Sequence, residues 1–207
     1  MKRHGLNLPP SGGGARQGLD VASGVAKSPE LSPGEWAVLG LVGEGPTHGF
    51  AVAQILAPGG ELGAVWSMAR PAVYNAVNKL ETLGLLHPVS AEPGTRGPTR
   101  TVISLTDSGR AALDDWLTRP VDHVRDVRSL LLLKLALILR ARSDPARLLE
   151  SQRTKLVQQV ASLSKVRDRA SGFERVVVQW RLSSSKATLE FLEAVTGSPD
   201  LQSPPGH

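Results

Sequence analysis

The sequence predicts a mainly α-helical protein that carries one small β-hairpin. Apolar residues recur at helical spacing through most of the central chain. A single Pro/Gly-rich tip, "EPGTRGP", separates two short stretches that suit β-strands. The predicted order is three helices, the hairpin and then further helices. This is the order of a winged helix-turn-helix domain followed by a C-terminal helical region.

Composition excludes several classes of protein. The chain has 207 residues, of which 41% are apolar, a formal net charge of +5 and no cysteine. A disulfide scaffold, a thiolate metal site and a cysteine nucleophile are therefore excluded. No apolar run reaches the roughly 18 residues of a membrane span. We expect a cytoplasmic protein with no membrane partner and no cofactor, and the basic charge makes a polyanion a reasonable partner.

Composition also predicts how the chain is divided. Residues 1–30 and 197–207 are rich in Gly, Pro and Ser and show no periodicity, which predicts a disordered N-terminal arm and a disordered tail. The body between them is expected to form a winged helix-turn-helix domain at residues 31–118. A helical dimerisation region is expected at residues 119–196.

The first two helices have recognisable starts. Ser32 and Glu35 have the spacing of a capping box, and Pro33 suits the first helical position. The first helix should therefore run from Pro33 to about Val42. Thr47 is the predicted N-cap of the second helix, "HGFAVAQILA".

The third helix, within "MARPAVYNAVNKLETLGLL", has two different faces. Its apolar arc is predicted to hold Val73, Ala76, Val77, Leu80 and Leu83. Asn75, Asn78 and Lys79 point away from that arc, and Arg70 projects from the N-terminal tip. Gly84 suits the left-handed position that ends a helix.

The hairpin follows directly. Residues Leu85–Val89 and Thr99–Leu105 are predicted to pair as strands, with Arg96 in the tip and Arg100 beside it. Thr106 is then the predicted N-cap of a fourth helix, "DSGRAALDDWL".

The C-terminal third is predicted to be helical throughout. The run Leu130–Leu139 is apolar nearly all round, although Lys134 interrupts it. We expect a buried helix that a partner subunit covers in part, because three appended helices would hide this surface poorly. Two further helices are expected from Ala146 to about Ala170 and from Phe173 to about Val195.

The chain resembles the PadR family of bacterial transcription regulators in four stretches taken in order. These are "AVLGLVGEGPTHGFAVAQIL", "ARPAVYNAVNKLETLGLL", "TRTVISLTDSGRAALDDWL" and "RDVRSLLLLKLAL". The resemblance implies a homodimer, joined by C-terminal helices, that binds double-stranded operator DNA. It also implies a repressor that a small molecule releases. The chain departs from the family pattern at Phe50, Pro71 and Ala72, so no operator sequence is inferred.

The residues predicted to bind DNA lie on the third helix and the hairpin: Arg70, Tyr74, Asn75, Asn78, Lys79, Arg96 and Arg100. Asparagine can pair with adenine, and lysine or arginine with guanine or phosphate, in a major groove that accepts a helix. The alternatives are a solvated helix face, core packing for Tyr74, and solubilising loop charges for the two hairpin arginines.

Other residues have weaker interpretations. Trp116 and Trp180 are either core residues or the lining of a pocket for a small aromatic effector. His48 suits packing or capping better than ligation. His123 and Asp126 are one turn apart, but no third metal ligand accompanies them.

Two other classes of function were weighed against a DNA-binding regulator. The sequence contains no P-loop, dinucleotide fingerprint, nucleophile elbow or HExxH motif, so we expect no enzyme and no catalytic residues. A winged-helix adaptor that binds protein instead of DNA is the remaining alternative.

Overall fold

The computed structural model describes residues 30–94 and 97–198. The predicted arm (save for residue 30), the tail from residue 199 and Arg96 lie outside the described residues. The elements in chain order are α1 (Pro33–Gly43), β1 (Thr47–His48), α2 (Gly49–Ile55), α3 (Arg70–Thr82), β2 (Leu86–Gly94), β3 (Gly97–Leu105), α4 (Asp107–Thr118), α5 (Leu132–Arg140), α6 (Ala146–Arg169) and α7 (Gly172–Thr196). The mainly helical class with a small sheet is confirmed.

The start of α1 is the predicted capping box. The Ser32 hydroxyl accepts a hydrogen bond from the Glu35 amide, and the Glu35 carboxylate accepts one from the Ser32 amide at 2.8 Å. The predicted cap of α2 is wrong by one residue. His48 is the N-cap, and its Nδ1 accepts from the Ala51 amide at 3.0 Å. Thr47 is instead part of a strand.

That strand makes the sheet three-stranded, which the sequence did not predict. The order is β1-β3-β2, and both pairings are antiparallel. Thr47 pairs with Ile103, and Leu86 pairs with Leu105. The hairpin strands are also longer than predicted, because the pairing continues to Gly94 and Gly97 near the tip. The sheet thereby fixes the β2–β3 hairpin, which we call the wing, beside the start of α2.

The winged-helix core lies among α1, α2, α3 and the sheet. Val73 and Leu80 on α3 are fully buried there, as the apolar arc predicts. Leu83 is 47% exposed, so its assignment to the arc is wrong. The helix ends at Thr82, and Leu83 is the C-cap residue, where the helical phase no longer applies.

The junction between α3, the sheet and α4 is held by short hydrogen bonds. Gly84 has a φ of +68°, the left-handed conformation that the sequence predicts. The Thr106 hydroxyl donates to the Gly84 carbonyl at 2.7 Å and accepts from the Gly109 amide at 3.0 Å. The predicted Thr106 cap is therefore confirmed, and it also ties the start of α4 to the end of α3.

The apolar run Leu130–Leu139 is covered by its own chain. A 3₁₀ turn (Val124–Asp126) and a π-helical turn (Val127–Leu131) lead into α5. Leu133 and Leu137 belong to the winged-helix core, whereas Leu131, Leu135 and Ile138 belong to a second core formed with α6 and α7. Most of the run is thus buried within one chain, so its apolar character does not by itself require the partner subunit that we expected to cover part of it.

Lys134 is the charged residue within this buried helix. It is 3% exposed, and its Nζ donates to the carbonyls of Trp116 at 2.8 Å and Arg119 at 2.6 Å. The same amine lies 4.6 Å from the centroid of the Trp116 ring, which stacks on Trp36 at 4.8 Å. Burial, with a smaller effect of the Arg119 charge, lowers the pKa of Lys134 to about 8.

Helices α6 and α7 pack against each other and leave one apolar face open. Buried Gln152 closes the second core by accepting from the Val121 amide at 2.7 Å and donating to the Val121 carbonyl at 3.3 Å. On α7, Phe173 is 80% exposed, Val176 60% and Trp180 71%. Both helices end within two residues of the predicted limits.

Replacement of Lys134 by methionine should destabilise the fold by about 1–3 kcal/mol, because two carbonyls near the end of α4 lose their donor. Urea unfolding measures the change. Lys155→Met, at a lysine paired with Asp122 on the surface, is the matched control and should change stability far less. Equal effects of the two substitutions would contradict the structural role of the buried amine.

The difference between wild type and Lys134→Met should also depend on pH. The folded pKa near 8 lies below the unfolded value of 10.5, so the unfolded chain binds more protons between these values. Wild type should therefore gain stability relative to the variant as the pH rises from 8 toward 10.5. A difference that stays constant over this range would show that the amine titrates normally.

Candidate nucleic-acid interface

A cleft lies between α3 and the β2–β3 hairpin. Its cavity has a volume of about 580 Å³ and opens beside the start of α2. Its polar lining comes from three places in the sequence. His48 lies before α2, β3 contributes Arg100 and Thr101, and α3 contributes Arg70, Tyr74, Asn78 and the acidic Glu81. The fold thus brings together side chains that are more than fifty residues apart in the chain.

Phe50 is the aromatic centre of this cleft. The Cζ atom of Arg70 lies 4.5 Å from the centroid of the Phe50 ring, and that of Arg100 lies 4.8 Å from it. Each contact has cation–π geometry, worth about 0.5–1 kcal/mol at exposed sites. One ring therefore contacts two guanidinium groups from different elements, and these make this end of the cleft cationic.

Tyr74 lies beside this ring, against the start of α2. It is 42% exposed, which argues against the alternative of core packing. A Cβ atom at Gly49 would lie 3.0 Å from Cε1 of Tyr74, so the glycine allows the aromatic ring to approach α2 closely. The phenol is left at the edge of the cleft.

His48 connects the cap of α2 to the wing. Its Nδ1 accepts from the Ala51 amide, and its Nε2 lies 3.4 Å from Nη1 of Arg100. The interpretation of this histidine as a capping residue is confirmed. The sequence did not indicate that the same ring reaches an arginine of the hairpin.

The outer face of α3 is exposed, as predicted. Asn75, Asn78 and Lys79 all point away from the core. The Nζ of Lys79 donates to the two carboxylate oxygens of Glu35 at 2.9 and 2.8 Å. The capping-box glutamate of α1 therefore also binds the lysine of α3, which the sequence did not suggest.

The Glu35 carboxylate is held in its ionised form. Partial burial raises its pKa, but hydrogen bonds from Lys79 and the Ser32 amide outweigh that effect, and the net pKa is lowered from 4.5. The charge of Lys79 is thus partly compensated within the protein, and any other anion must compete with Glu35 for it.

The predicted DNA-binding residues are not all in one place. Arg70, Tyr74, Asn78 and Arg100 converge on the cleft, whereas Lys79 turns toward α1. Sequence reasoning did not include His48 and Phe50 in this site. The available signal was an imidazole and an aromatic ring at the start of a helix next to a cationic hairpin.

The two tryptophans predicted to share a pocket are apart. Trp180 lines a second, larger cavity of about 1090 Å³ between α6, α7 and the turns before α5. Trp116 does not line it. Trp116 is 9% exposed and packs between Trp36 and the amine of Lys134 in the core, so its assignment to an effector pocket is wrong.

Two other kinds of site were sought in residues 30–94 and 97–198. In this part of the chain, no group of three or more His, Asp or Glu side chains could hold a metal ion. His123 and Asp126 have no third ligand there. The same residues include no helix with the length and hydropathy needed to cross a membrane.

Three helices, a three-stranded sheet with a long hairpin, and a polar helix face beside arginines define a winged helix-turn-helix domain. Residues 38–115 of the chain match the model of the transcriptional regulator PadR-like family. The matched segment contains every residue that lines the cleft.

Known proteins resemble the chain to different extents. The negative transcriptional regulator PadR of Bacillus subtilis (strain 168) is 32% identical over 85 residues, which is 41% of this chain. The match spans about half of that relative, 45% of its length. The crystal structure of Bacillus subtilis PadR in complex with operator DNA is 23% identical. The match covers 78% of this chain and 96% of that structure's chain, with a TM-score of 0.40. The crystal structure of the same protein in complex with p-coumaric acid is also 23% identical. The match covers 83% of this chain and 100% of that structure's chain, with a TM-score of 0.37.

Replacement of Glu35 by glutamine should reduce stability at pH 7 by roughly 0.2–1 kcal/mol, because the ion pair with Lys79 is lost. The folded pKa of Glu35 is below its usual 4.5, so its contribution is present above pH 4.5 and is lost as the pH falls through the folded value. Urea unfolding from pH 7 to pH 3 measures this. The exposed Glu190→Gln on α7 is the control, and a Glu35 effect independent of pH would refute the assignment.

Proposed function

We propose that this chain is a sequence-specific DNA-binding transcriptional regulator that acts as a repressor in the cytoplasm. The convergence of Arg70, Tyr74, Asn78 and Arg100 on one cleft between α3 and the wing is the observation that carries the proposal. The family model describes transcriptional regulators, and the matched curated relative is a negative regulator. Both support a regulator and not an enzyme.

The chemistry assigns different tasks to the two parts of the surface. Asn75 and Asn78 are on the exposed face of α3, where a side-chain amide in a major groove can make two hydrogen bonds with adenine. Arg70, Tyr74 and Arg100 line the cleft between helix and wing, where phosphate contacts would fix the register of the protein. We keep Arg96, at the hairpin tip, as a proposed contact on sequence grounds alone.

A second copy of the chain is proposed to cover the open face of α7. Phe173, Val176 and Trp180 are separated by three or four residues, so they share one side of the helix. All three are more than half exposed, which leaves a contiguous apolar strip. In a homodimer joined through the region 119–196, two α3 helices would be about 34 Å apart, one turn of DNA.

The larger cavity suits a small aromatic effector, and we propose this as part of the same function. Trp180 supplies a surface for stacking, and Arg125, Arg128 and Arg181 line the same cavity. Such a ligand would release DNA only if it bound more tightly to a dimer whose recognition helices are differently spaced. Trp116 has no part in this site.

Substitution of Asn75 or Asn78 by alanine should weaken binding to the preferred duplex by roughly 1–3 kcal/mol for each lost two-bond contact. Folding should be nearly unchanged, because both residues are exposed. The duplex is first selected from genomic fragments by the wild-type protein, and affinities are then measured by fluorescence anisotropy. Lys79→Ala should have a smaller effect that extends to all sequences, since Glu35 already binds this lysine.

The same measurement separates the regulator from the adaptor. A mixed-sequence duplex is the control, and wild type should bind it more weakly and with strong salt dependence. Unchanged affinity of both asparagine variants for the selected duplex would refute the role of α3. Failure of wild type to bind any duplex, together with salt-insensitive binding of a protein partner, would favour the adaptor.

Introduction of an aspartate at Val176 should convert the dimer to a folded monomer, because a charge would be buried in the apolar strip. Sedimentation velocity at micromolar concentration measures the change, and circular dichroism checks that helices persist. Ala111→Asp, at an exposed position of α4, is the control and should remain dimeric. A wild-type protein that is monomeric at this concentration and still binds DNA tightly would refute the dimer.

A further inference from the structure

The start of α2 fixes the protonation of one imidazole. The Ala51 amide donates to Nδ1 of His48 at 3.0 Å, so this nitrogen carries a lone pair and no proton. A neutral imidazole has one N–H group, and it must then be on Nε2. The cap of the helix therefore turns an N–H donor of His48 toward the wing.

That donor faces another donor. Nη1 of Arg100 lies 3.4 Å from Nε2 of His48, and a guanidinium group has donors only. With the proton on Nε2, the two groups cannot form a hydrogen bond with each other. An acceptor placed beside both groups would satisfy them together, and a negatively charged acceptor would do so best.

Phe50 adds a second cation to the same place. The guanidinium groups of Arg70 and Arg100 come from different elements, yet both lie within 5 Å of the centroid of one ring. Two like charges around one ring repel each other, and an anion that reaches both groups is attracted by each of them. The ring fixes both groups before any ligand arrives, which reduces the entropy lost on binding.

The acidic residue in the cleft sets the position of the anion. Glu81 also lines the cavity, but it is eleven residues beyond Arg70 on α3, about 16 Å along the helix axis. An anion is therefore expected at the end formed by His48, Arg70 and Arg100, away from this carboxylate.

We propose that His48, Arg70 and Arg100, held on the ring of Phe50, bind one phosphate group of the DNA backbone. This rests on the proposed function. The cavity of about 580 Å³ is far larger than a phosphate ion and opens between a helix and a hairpin, which suits one group of a long polyanion. His48 and Phe50 then position the protein on the duplex without reading its sequence.

The first test needs no DNA. Long-range ¹H–¹⁵N spectra of the full chain report which nitrogen of each histidine carries the proton. Neutral His48 should show a protonated Nε2 and an unprotonated Nδ1. A proton on Nδ1 would overturn the proposal, because Nε2 would then accept from Arg100 and His48 would turn no N–H donor toward the wing.

The second test counts phosphates. The logarithm of the binding constant for a selected duplex is measured against the logarithm of salt concentration. Arg100→Gln should reduce the slope by about 0.9, the value for one phosphate. Arg153→Gln, an identical charge change on α6, is the matched control and should leave the slope unchanged.

His48→Asn keeps a residue able to cap α2 and should weaken binding by about fivefold or more with little change in slope. Phe50→Leu keeps the charges of Arg70 and Arg100 and should weaken binding of the selected duplex by a factor similar to that of His48→Asn.

The third test locates the phosphate. Single methylphosphonate groups, which are neutral, are introduced along the selected duplex. A methylphosphonate at one position in each half-site should weaken DNA binding by the wild-type protein. The same modification should not weaken binding further in Arg100→Gln or His48→Asn, as in a double-mutant cycle. Independent, additive effects at every position would overturn the proposal while leaving DNA binding intact.

These outcomes distinguish the proposed phosphate site from the broader proposal that the chain binds DNA. Absence of any salt-dependent duplex binding by wild type would overturn both. Saturation of the His48 signals by inorganic phosphate, with no sensitive position in the methylphosphonate scan, would show a free-anion site and overturn the assignment to DNA. Normal duplex binding by all the variants would overturn only the phosphate site.

Discussion

The burial of one amine is the constraint on which the arrangement of the two helical cores depends. Lys134 lies on a helix that is apolar on both sides, and its charge is tolerated because two carbonyls and an indole ring surround it. Both carbonyls lie at or just beyond the end of α4, which follows the wing. The amine therefore joins the winged-helix half to the C-terminal half through polar contacts of fixed direction, whereas apolar packing alone would tolerate sliding.

Aromatic rings organise the charged groups in both halves of the molecule. Trp116 accepts Lys134 against its face in the core, and Phe50 accepts two guanidinium groups at the surface. The physical interaction is the same, but the consequence differs with exposure. In the core it helps to compensate a buried charge. At the surface it concentrates positive charge in a cleft that water and a polyanion can enter.

Local patterns predicted the helices well because their signals are local. The capping box of Ser32 and Glu35, the Thr106 cap and the glycine at 84 each act within a few residues, and all are present. The third strand was missed because two residues at Thr47 carry no periodicity. Their pairing with β3 depends on a partner more than fifty residues away.

The candidate site was predicted in part for the same reason. The exposed face of α3 follows from helical geometry, so the exposure of Asn75 and Asn78 was predicted correctly. Whether Lys79 is free depends on where α1 lies in space, and the sequence does not contain that distance. The same applies to Trp116, since a tryptophan on an amphipathic helix has the same pattern whether its neighbour is a ligand or Trp36.

The close contact of α1 with α5 bears on how this protein can be divided and recombined. A Cβ atom at Gly40 would lie 2.5 Å from the side chain of Leu137, so Leu137 of α5 packs directly on the backbone of α1 where the glycine has no side chain. Leu133 and Leu137 complete the core of the winged helix, although they come after its proposed limit at residue 118. A fragment cut at that limit would expose the glycine face of α1 and the ring of Trp116. The winged helix of this chain is therefore not an interchangeable module, and chimeras with related regulators should exchange α5 together with it.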